Sequence, residues 1–318
     1  MIGCMDTVDF VIPHMGRPEL LADTVRSIMR QTCYDQIARI TVVTRNDAPL
    51  DLPAEEKLHV IHAPEAPSIS HQRNLGVAAG SSPLIAFLDA DIELSPHWLE
   101  TAIGLLNESS DRLLVSAMQV NSPQATRIEK LRTTLSNVAL DTAVHFLPGR
   151  NLLVRRSAHD AIGGFPEHLQ TCEDYYYTEK LSRLGELYYT SLTHYVHLGE
   201  DRTLGQTFRK EIWRSEYNLH SLAGRTVPLR EWPSILLPFW MVLGFLLLVM
   251  SVVEPLLIAP ALLMLSIPPL LYSARLMLKP GNQLSPAFLL VFYSVYFVAR
   301  TAGTIRGVSL LFRRGGTA

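Results

Sequence analysis

The chain has 318 residues, 48% of them hydrophobic, with a formal net charge of −2. That balance excludes the broad basic surface that nucleic-acid binding requires. The three cysteines, Cys4, Cys33 and Cys172, form no Cys-x-x-Cys pair, which argues against a disulfide framework or zinc site and fits a reducing compartment.

No basic segment followed by an apolar run opens the sequence, so no signal peptide is expected and the first region stays where it is made. Residues 8–12 are apolar, stop at Pro13 and read as a buried strand. Pro18 opens a helix whose apolar positions Leu20, Leu21, Val25, Ile28 and Met29 recur at helical spacing. Residues 40–43 and 59–61 read as two further strands, 70–79 as a helix, and 84–88 as a strand ending at Asp89. Ser95 and Pro96 supply an N-cap and first helical position for a helix to about residue 106. Such alternation predicts an α/β domain with parallel strands and helices on both faces. Ligands of such sheets sit outside the carboxyl ends of the strands.

Two of those ends carry chemistry. Pro13-His14-Met15-Gly16-Arg17 follows the first strand, and Asp89-Ala90-Asp91 follows the strand at 84–88. Two carboxylates just past a buried strand suit a hard divalent cation whose other ligands are phosphate oxygens; a pair of solvated turn acids is the alternative. The segment HQRNLGVAAGSSPLIAFLDADIELSPHWLE resembles the donor-binding core of glycosyltransferase family 2, with its Arg-Asn-x-Gly helix and DXD strand. PGRNLLVRRSAHDAIGGFPEHLQTCEDYYYTEKL resembles that family's second half, where a Gly-Gly-Phe-x-Glu turn precedes a Glu-Asp pair at a helix start. The resemblance covers about residues 8–215.

The resemblance implies a Rossmann-like nucleotide-sugar domain of GT-A type that transfers a sugar with inversion. It implies Mg²⁺ or Mn²⁺ as cofactor, held by Asp91 with Asp89, to neutralise charge on the leaving nucleoside diphosphate. Pro13, His14, Arg17, Thr44, Asp47, Arg73, Asn74, Asp89 and Ala90 would line the nucleotide sugar, Arg73 as a cation near the phosphates. Asp174 would be the general base for the acceptor hydroxyl. Its neighbour Glu173, with Gly149, Arg150, Gln206 and Arg209, is expected at the acceptor or diphosphate. An acidic first turn is also ordinary helix capping, and the preceding Gly163-Gly164-Phe165-Pro166-Glu167 is what favours catalysis.

The chain departs from the family pattern in three places. Thr44 stands where an acid that contacts the nucleobase is expected, and Asp47 arrives late, which leaves UDP and GDP both open. His14-Met15-Gly16 replaces the commoner Thr-Tyr-Asn loop. Gln206 and Arg209 have the spacing of a polymer-gripping motif, but the next tryptophan is Trp213, which favours single-sugar addition. His194 and His197, three apart, are read as structural, with the approach of one of them to the metal or the diphosphate as the alternative.

Charged residues recur through Glu231, then none follows until Glu254 and none from there to Arg275. The break predicts a cytoplasmic glycosyltransferase domain over 1–230 and a membrane region over 231–318. Residues 234–253 and 255–274 each have the length of about 20 apolar residues that a crossing needs. Glu254-Pro255 forms the turn, Trp232, Trp240 and Tyr272 lie at the interfaces, and Pro238, Pro260, Pro268 and Pro269 kink the helices. Arg225, Arg230, Arg275 and Lys279 put both outer ends in the cytoplasm. A third apolar stretch, 286–299, is followed by Arg300, Arg306, Arg313 and Arg314. It reads as an interfacial or re-entrant helix over about 286–312, with a third span as the alternative.

The expected protein is a multi-pass enzyme of the cytoplasmic (inner) membrane with its catalytic domain facing the cytoplasm. Its partners are a nucleotide-sugar donor, a lipid-linked or membrane-proximal glycan acceptor and the lipid bilayer, with no nucleic acid. Two alternatives stand beside it: transfer to polyprenyl phosphate, and a non-catalytic membrane subunit that binds nucleotide sugar. Sugar, acceptor pathway and oligomeric state are not legible.

Overall fold

A computed structural model of the chain describes residues 6–219, 222, 227, 229–279 and 282–315, the side chains of 230 and 310–315 excepted. Cys4, Arg225 and the side chains of Arg230, Arg313 and Arg314 lie outside the described residues. The chain forms two compact units, Met1–Ala125 with Arg132–Glu200, and Thr126–Leu131 with Asp201–Ala318.

The first unit is built on one mixed nine-stranded sheet. Its elements run β1 (Val8–His14), α1 (Pro18–Met29), β2 (Ile37–Thr44), β3 (Leu58–His62), α2 (Ile69–Ala78), β4 (Leu84–Leu88), β5 (Ile92–Leu94), α3 (Trp98–Asn107) and β6 (Arg112–Val120). After α4 (Arg127–Ser136), which the two units share, come β7 (Thr142–Val144), β8 (Asn151–Arg155), α5 (Arg156–Ile162), α6 (Glu173–Ser182) and β9 (Glu186–His197). Strand order is β3-β2-β1-β4-β8-β6-β9-β5, with β7 on β9.

Every residue of β1 is buried, because the strand lies between β2 and β4 and both faces are covered. Successive side chains enter opposite cores. Phe10 and Ile12 join Leu21 and Trp98 on one side, while Val11 joins Phe87 and Tyr177 on the other. Pro13 lies beyond Val11↔Phe87, the last pairing with β4.

The parallel arrangement expected from the alternation holds for β3, β2, β1 and β4. It fails at β8, which is antiparallel to both β4 and β6. The reversal serves the site: β8 starts where β4 ends, Leu88 opposite Asn151, and the Asp89 amide donates to the Arg150 carbonyl at 2.9 Å. The helix expected from Ser95 begins instead at Trp98, with His97 at the N-cap position and no side-chain cap. Ser95 belongs to the strand edge, with its amide bonded to the His194 carbonyl and its hydroxyl 2.7 Å from Thr193 Oγ1.

The second unit contains α7 (Leu204–Glu216), α8 (Trp232–Met250), α9 (Ile258–Met277) and α10 (Pro286–Gly315). α8 and α9 pack antiparallel, with Trp240 Nε1 donating to the Met264 carbonyl at 2.9 Å and Gly244 against Leu265. Three helical segments, Trp232–Met250, Pro255–Met277 and Pro286–Ser309, are long and apolar enough to cross a membrane. α10 is one unbroken helix of 30 residues, so the re-entrant form of the earlier expectation does not hold. The units divide at Glu200/Asp201, ahead of the compositional break at 231, because α7 packs on α10 through Gly303 and Gly307.

Candidate functional site

Of the acids and cations expected of the site, Arg73, Asp89, Glu173 and Asp174 meet at the carboxyl end of β4. Arg73, on α2, is the organiser. Its side chain is 2% exposed, with Nη1 2.9 Å from Glu173 Oε1 and Nη2 3.2 Å from Asp89 Oδ1. Nη2 also donates to the Gly149 carbonyl at 3.2 Å, and the guanidinium lies 4.8 Å from the centre of the Phe165 ring. Gly149 in turn donates its amide to Asp174 Oδ2 at 3.2 Å, and Tyr175 N donates to Asp174 Oδ1 at 2.7 Å. One buried cation therefore gathers the end of β4, the turn before β8 and the start of α6. A Cβ at Gly149 would press on both Arg73 and Asp174, so the close approach requires glycine.

The two acids of α6 have different surroundings. Burial and the adjacent Asp174 hold Glu173 above the usual glutamate range, against the pull of Arg73. Glu173 is committed to that ion pair, whereas Asp174 is only half-buried. Burial also raises Asp89; Arg73 opposes the shift and Asp91 adds to it.

Asp91 faces a second constellation. Its Oδ1 lies 3.2 Å from His197 Nε2, and its Oδ2 accepts from Arg17 Nη2 at 2.5 Å. His197 Nδ1 lies 3.0 Å from Glu200 Oε2, and Glu200 is braced by Arg132 and Arg150 at 3.3 and 3.7 Å. Burial alone would raise Glu200, but the bond from His197 and the two guanidiniums hold it well below the usual range. A carboxylate on Nδ1 fixes the imidazole so that Nε2 points at Asp91, the arrangement that orients metal-ligating histidines. Among the described residues no group of three or more His, Cys, Asp or Glu is gathered for an ion. A divalent cation that takes two protein donors and completes its shell with phosphate oxygens and water matches the Asp91–His197 pair.

The first loop is held by Asn46, whose side chain accepts from Gly16 N at 2.8 Å and donates to Gly16 O at 3.3 Å. Thr44 and His14 are both buried, with the Thr44 hydroxyl 2.9 Å from His14 Nδ1 and accepting from Asn46 N at 3.0 Å. With Thr44 Oγ1 accepting from Asn46 N, its own hydrogen can go to Nδ1, which puts the ring proton on Nε2, an atom with no partner among the described residues. Burial lowers the pKa of His14, which keeps the ring neutral.

The remaining expected residues are placed as follows. Asn74 uses its amide on the Gly-Gly-Phe-Pro-Glu turn: it donates to Phe165 O at 3.0 Å and Glu167 at 2.8 Å, and accepts from Phe165 N. Gly163 and Gly164 have φ of 79° and 77°, the left-handed region that favours glycine. Arg150 is a buried brace on Gln119, Ser136 and Tyr195. Asp47 is exposed beyond β2, and Ala90 sits in the turn between Asp89 and Asp91. Gln206 and Arg209 lie on α7 in the second unit; Gln206 completes a capping box with Thr203, and Arg209 is exposed. Of the two histidines read as structural, His194 is exposed and His197 reaches the site. Sequence reading missed Asn46, Glu200 and Gln72, whose buried amide ties the His14 and Val43 carbonyls at 3.0 and 2.7 Å. Their partners are distant along the chain, or in Glu200's case only three residues away with no motif to mark it.

A mixed sheet with acids at the end of a central strand, facing a glycine turn and an acidic helix start, has the Rossmann-like GT-A fold. Residues 9–163 match the sequence model of Glycosyl transferase family 2. It is 30% identical to the pre-mycofactocin glycosyltransferase of Mycobacterium tuberculosis over 127 residues, 37% of this chain and only 27% of that protein. It is 21% identical to glycosyltransferase AglE of Haloferax volcanii over 257 residues, 77% of this chain and 83% of that protein. Its fold resembles the mannosyltransferase PcManGT of Pyrobaculum calidifontis, solved with GDP-Man and Mn²⁺ (TM-score 0.60, 14% identity, covering 95% of this chain and 87% of that one).

Proposed function

We propose that this glycosyltransferase moves a single sugar, with inversion, from a nucleotide-diphosphate sugar to a hydroxyl of a lipid-linked or membrane-proximal glycan. The observation that carries the reading is the Arg73 cluster, in which one guanidinium ties Asp89 and Glu173 and, through Gly149, Asp174. Asp89 lies two residues along the chain from Asp91, which supports a reading with the metal-binding acid and the base at one site.

Asp91 and His197 would hold Mg²⁺ or Mn²⁺, which supplies charge neutralisation on the leaving diphosphate. His14 Nε2 and the loop tied by Asn46 would meet the nucleoside, and Arg17 stands at Asp91 where the diphosphate must pass. Asp174 accepts the proton of the attacking hydroxyl as the bond to the anomeric carbon forms and the diphosphate leaves from the opposite face. Two backbone amides orient its carboxylate for that task.

The apolar helices keep the enzyme beside an acceptor that does not diffuse into solution. The cations Arg225 and Arg230 before α8, with Arg275 and Lys279 at the end of α9, favour a cytoplasmic-face assignment in an inner membrane.

The test is Asp174→Asn assayed with labelled nucleotide sugars against a lipid-linked glycan and against polyprenyl phosphate. Loss of a general base lowers kcat by roughly 10²–10⁴-fold with nucleotide affinity retained. A polyprenyl phosphate oxygen is already anionic and needs no base. Undiminished turnover of a phosphate acceptor by Asp174→Asn therefore overturns the hydroxyl acceptor. Nucleotide binding by the native chain without turnover of any acceptor returns the chain to a binding subunit.

A further inference from the structure

α7 carries five charged residues, Arg209, Lys210, Glu211, Arg214 and Glu216. It lies directly against α10. Arg300 Nη1 is 3.1 Å from Glu211 Oε1, and a Cβ on Gly303 or Gly307 would collide with the carbonyls of Ile212 and Glu216. Advancing along α10 through 300, 303 and 307 therefore advances along α7 through 211, 212 and 216. The two helices run parallel with their backbones in contact.

The other neighbours of α10 fix its depth. Tyr272, near the C-terminal end of α9, meets Tyr293 and Phe297 at ring distances of 5.6 and 5.1 Å. Arg300 Nη2 donates to Ser234 Oγ, at the start of α8, at 2.7 Å. The entry of α8 and the exit of α9 are the two outer ends of the apolar hairpin, on one side of the bilayer. α10 begins on that side, joined to α9 by the short connection 278–285. By Arg300 it is level with the entry of α8, and from there it runs beside a charged helix. A straight helix with both halves on one side does not cross. Driving 300–307 through hydrocarbon would take the charges of α7 with it, where water cannot solvate them. Burial agrees: 44% of the apolar window of α10 is covered by protein, against 17% and 22% for the other two candidate spans.

We propose that α10 lies along the membrane–water interface, backed by α7 on its aqueous side, and that the α8–α9 hairpin is the crossing among the described residues. The partner of this surface is the lipid headgroup layer. Leu290, Val291, Val298 and Ile305 are exposed on α10 and dip toward acyl chains, with Arg306 beside them at the phosphates. The buried Glu211–Arg300 pair locks the two helices together at the base of the hairpin. The C-terminus then shares a side with α7, and Arg300, Arg306, Arg313 and Arg314 remain where the positive-inside rule wants them. This inference rests on the membrane placement in the proposed function and is independent of the chemistry.

Topology reporters on the full chain test it. Alkaline phosphatase fused after residue 318 is expected to be inactive and a green fluorescent protein there bright, whereas phosphatase inserted after Val253, in the hairpin turn, is active. An active phosphatase at the C-terminus overturns the inference. In parallel, Ser309→Cys and Val253→Cys are made singly with the native cysteines changed to serine, and intact cells are treated with an impermeant maleimide. Val253→Cys is expected to label, and Ser309→Cys only after permeabilisation. Labelling of Ser309→Cys in intact cells overturns the α10 placement. Absence of label at Val253→Cys, with phosphatase inactive there, overturns the membrane placement on which it rests.

Discussion

Replacing Arg73 by methionine probes the cluster at its centre. Methionine keeps most of the volume and packing against Phe165, so the loss is chiefly charge and hydrogen bonding. Glu173 and Asp89, with side chains 12% and 28% exposed, lose the partner that faces them at 2.9 and 3.2 Å. Breaking a buried ion pair from one side costs about 3–5 kcal/mol, which for a unit of this size lowers Tm by roughly 10 °C. The deficit carries a pH signature. Glu173 is already raised by burial and by Asp174, and Arg73 is what pulls it down. Without Arg73 it rises further, so the folded variant binds a proton that the unfolded chain, with a glutamate pKa of about 4.3, has released. The deficit of Arg73→Met therefore shrinks as pH falls from 7 toward 5. Thermal unfolding of the purified detergent-solubilised protein at both pH values, for Arg73→Met, Glu173→Gln and the double variant, completes the cycle. The double variant should recover part of the loss. A deficit below about 1 kcal/mol, or one that is additive and independent of pH, would refute the reasoning.

Two further outcomes follow from residues near the site. His159 is buried on Tyr177, 2.9 Å from its hydroxyl, and burial pushes its pKa down to about 4. The unfolded ring takes its proton near pH 6.5 while the folded ring waits, so up to about 3 kcal/mol of stability is lost as pH falls through that window. His159→Gln should flatten this part of the unfolding curve, and an unchanged slope would remove the assignment. In Gly199→Ala the new Cβ lands on Asp91 Oδ2 and the Arg17 guanidinium. Affinity for nucleotide diphosphate with Mn²⁺, measured by calorimetry, should fall roughly 10–100-fold with little change in Tm; intact affinity would separate Asp91 from the cation.

Much of the site was legible because its parts are local. The run at 84–88 is β4 to the residue, since five apolar side chains bounded by Pro83 and Asp89 admit little else. The Glu-Asp pair opens α6, and Pro18 opens α1, because both positions suit a helix's first turn. The apolar runs after 231 became helices for the same reason: composition over about 20 residues is a local property.

Relations between distant segments were not legible. Arg73 reads as a free cation on a helix until Glu173, 100 residues away, is found 2.9 Å from it. His197 looks structural until the pairing of β5 with β9 sets it opposite Ile92, beside Asp91. The reversed direction of β8 brings Gly149 to Asp89, and the glycines of α10 matter for admitting α7 rather than for their hydropathy. Sequence by itself determined where strands and helices form, where the acids stand on them and which part of the chain is apolar, since each of these is settled by neighbours within a turn or two. The tertiary structure alone decided which acid is tied to Arg73, which histidine faces Asp91 and which apolar helix packs against α7. Those outcomes depend on which side chains are desolvated together, and desolvation is set by residues far apart along the chain.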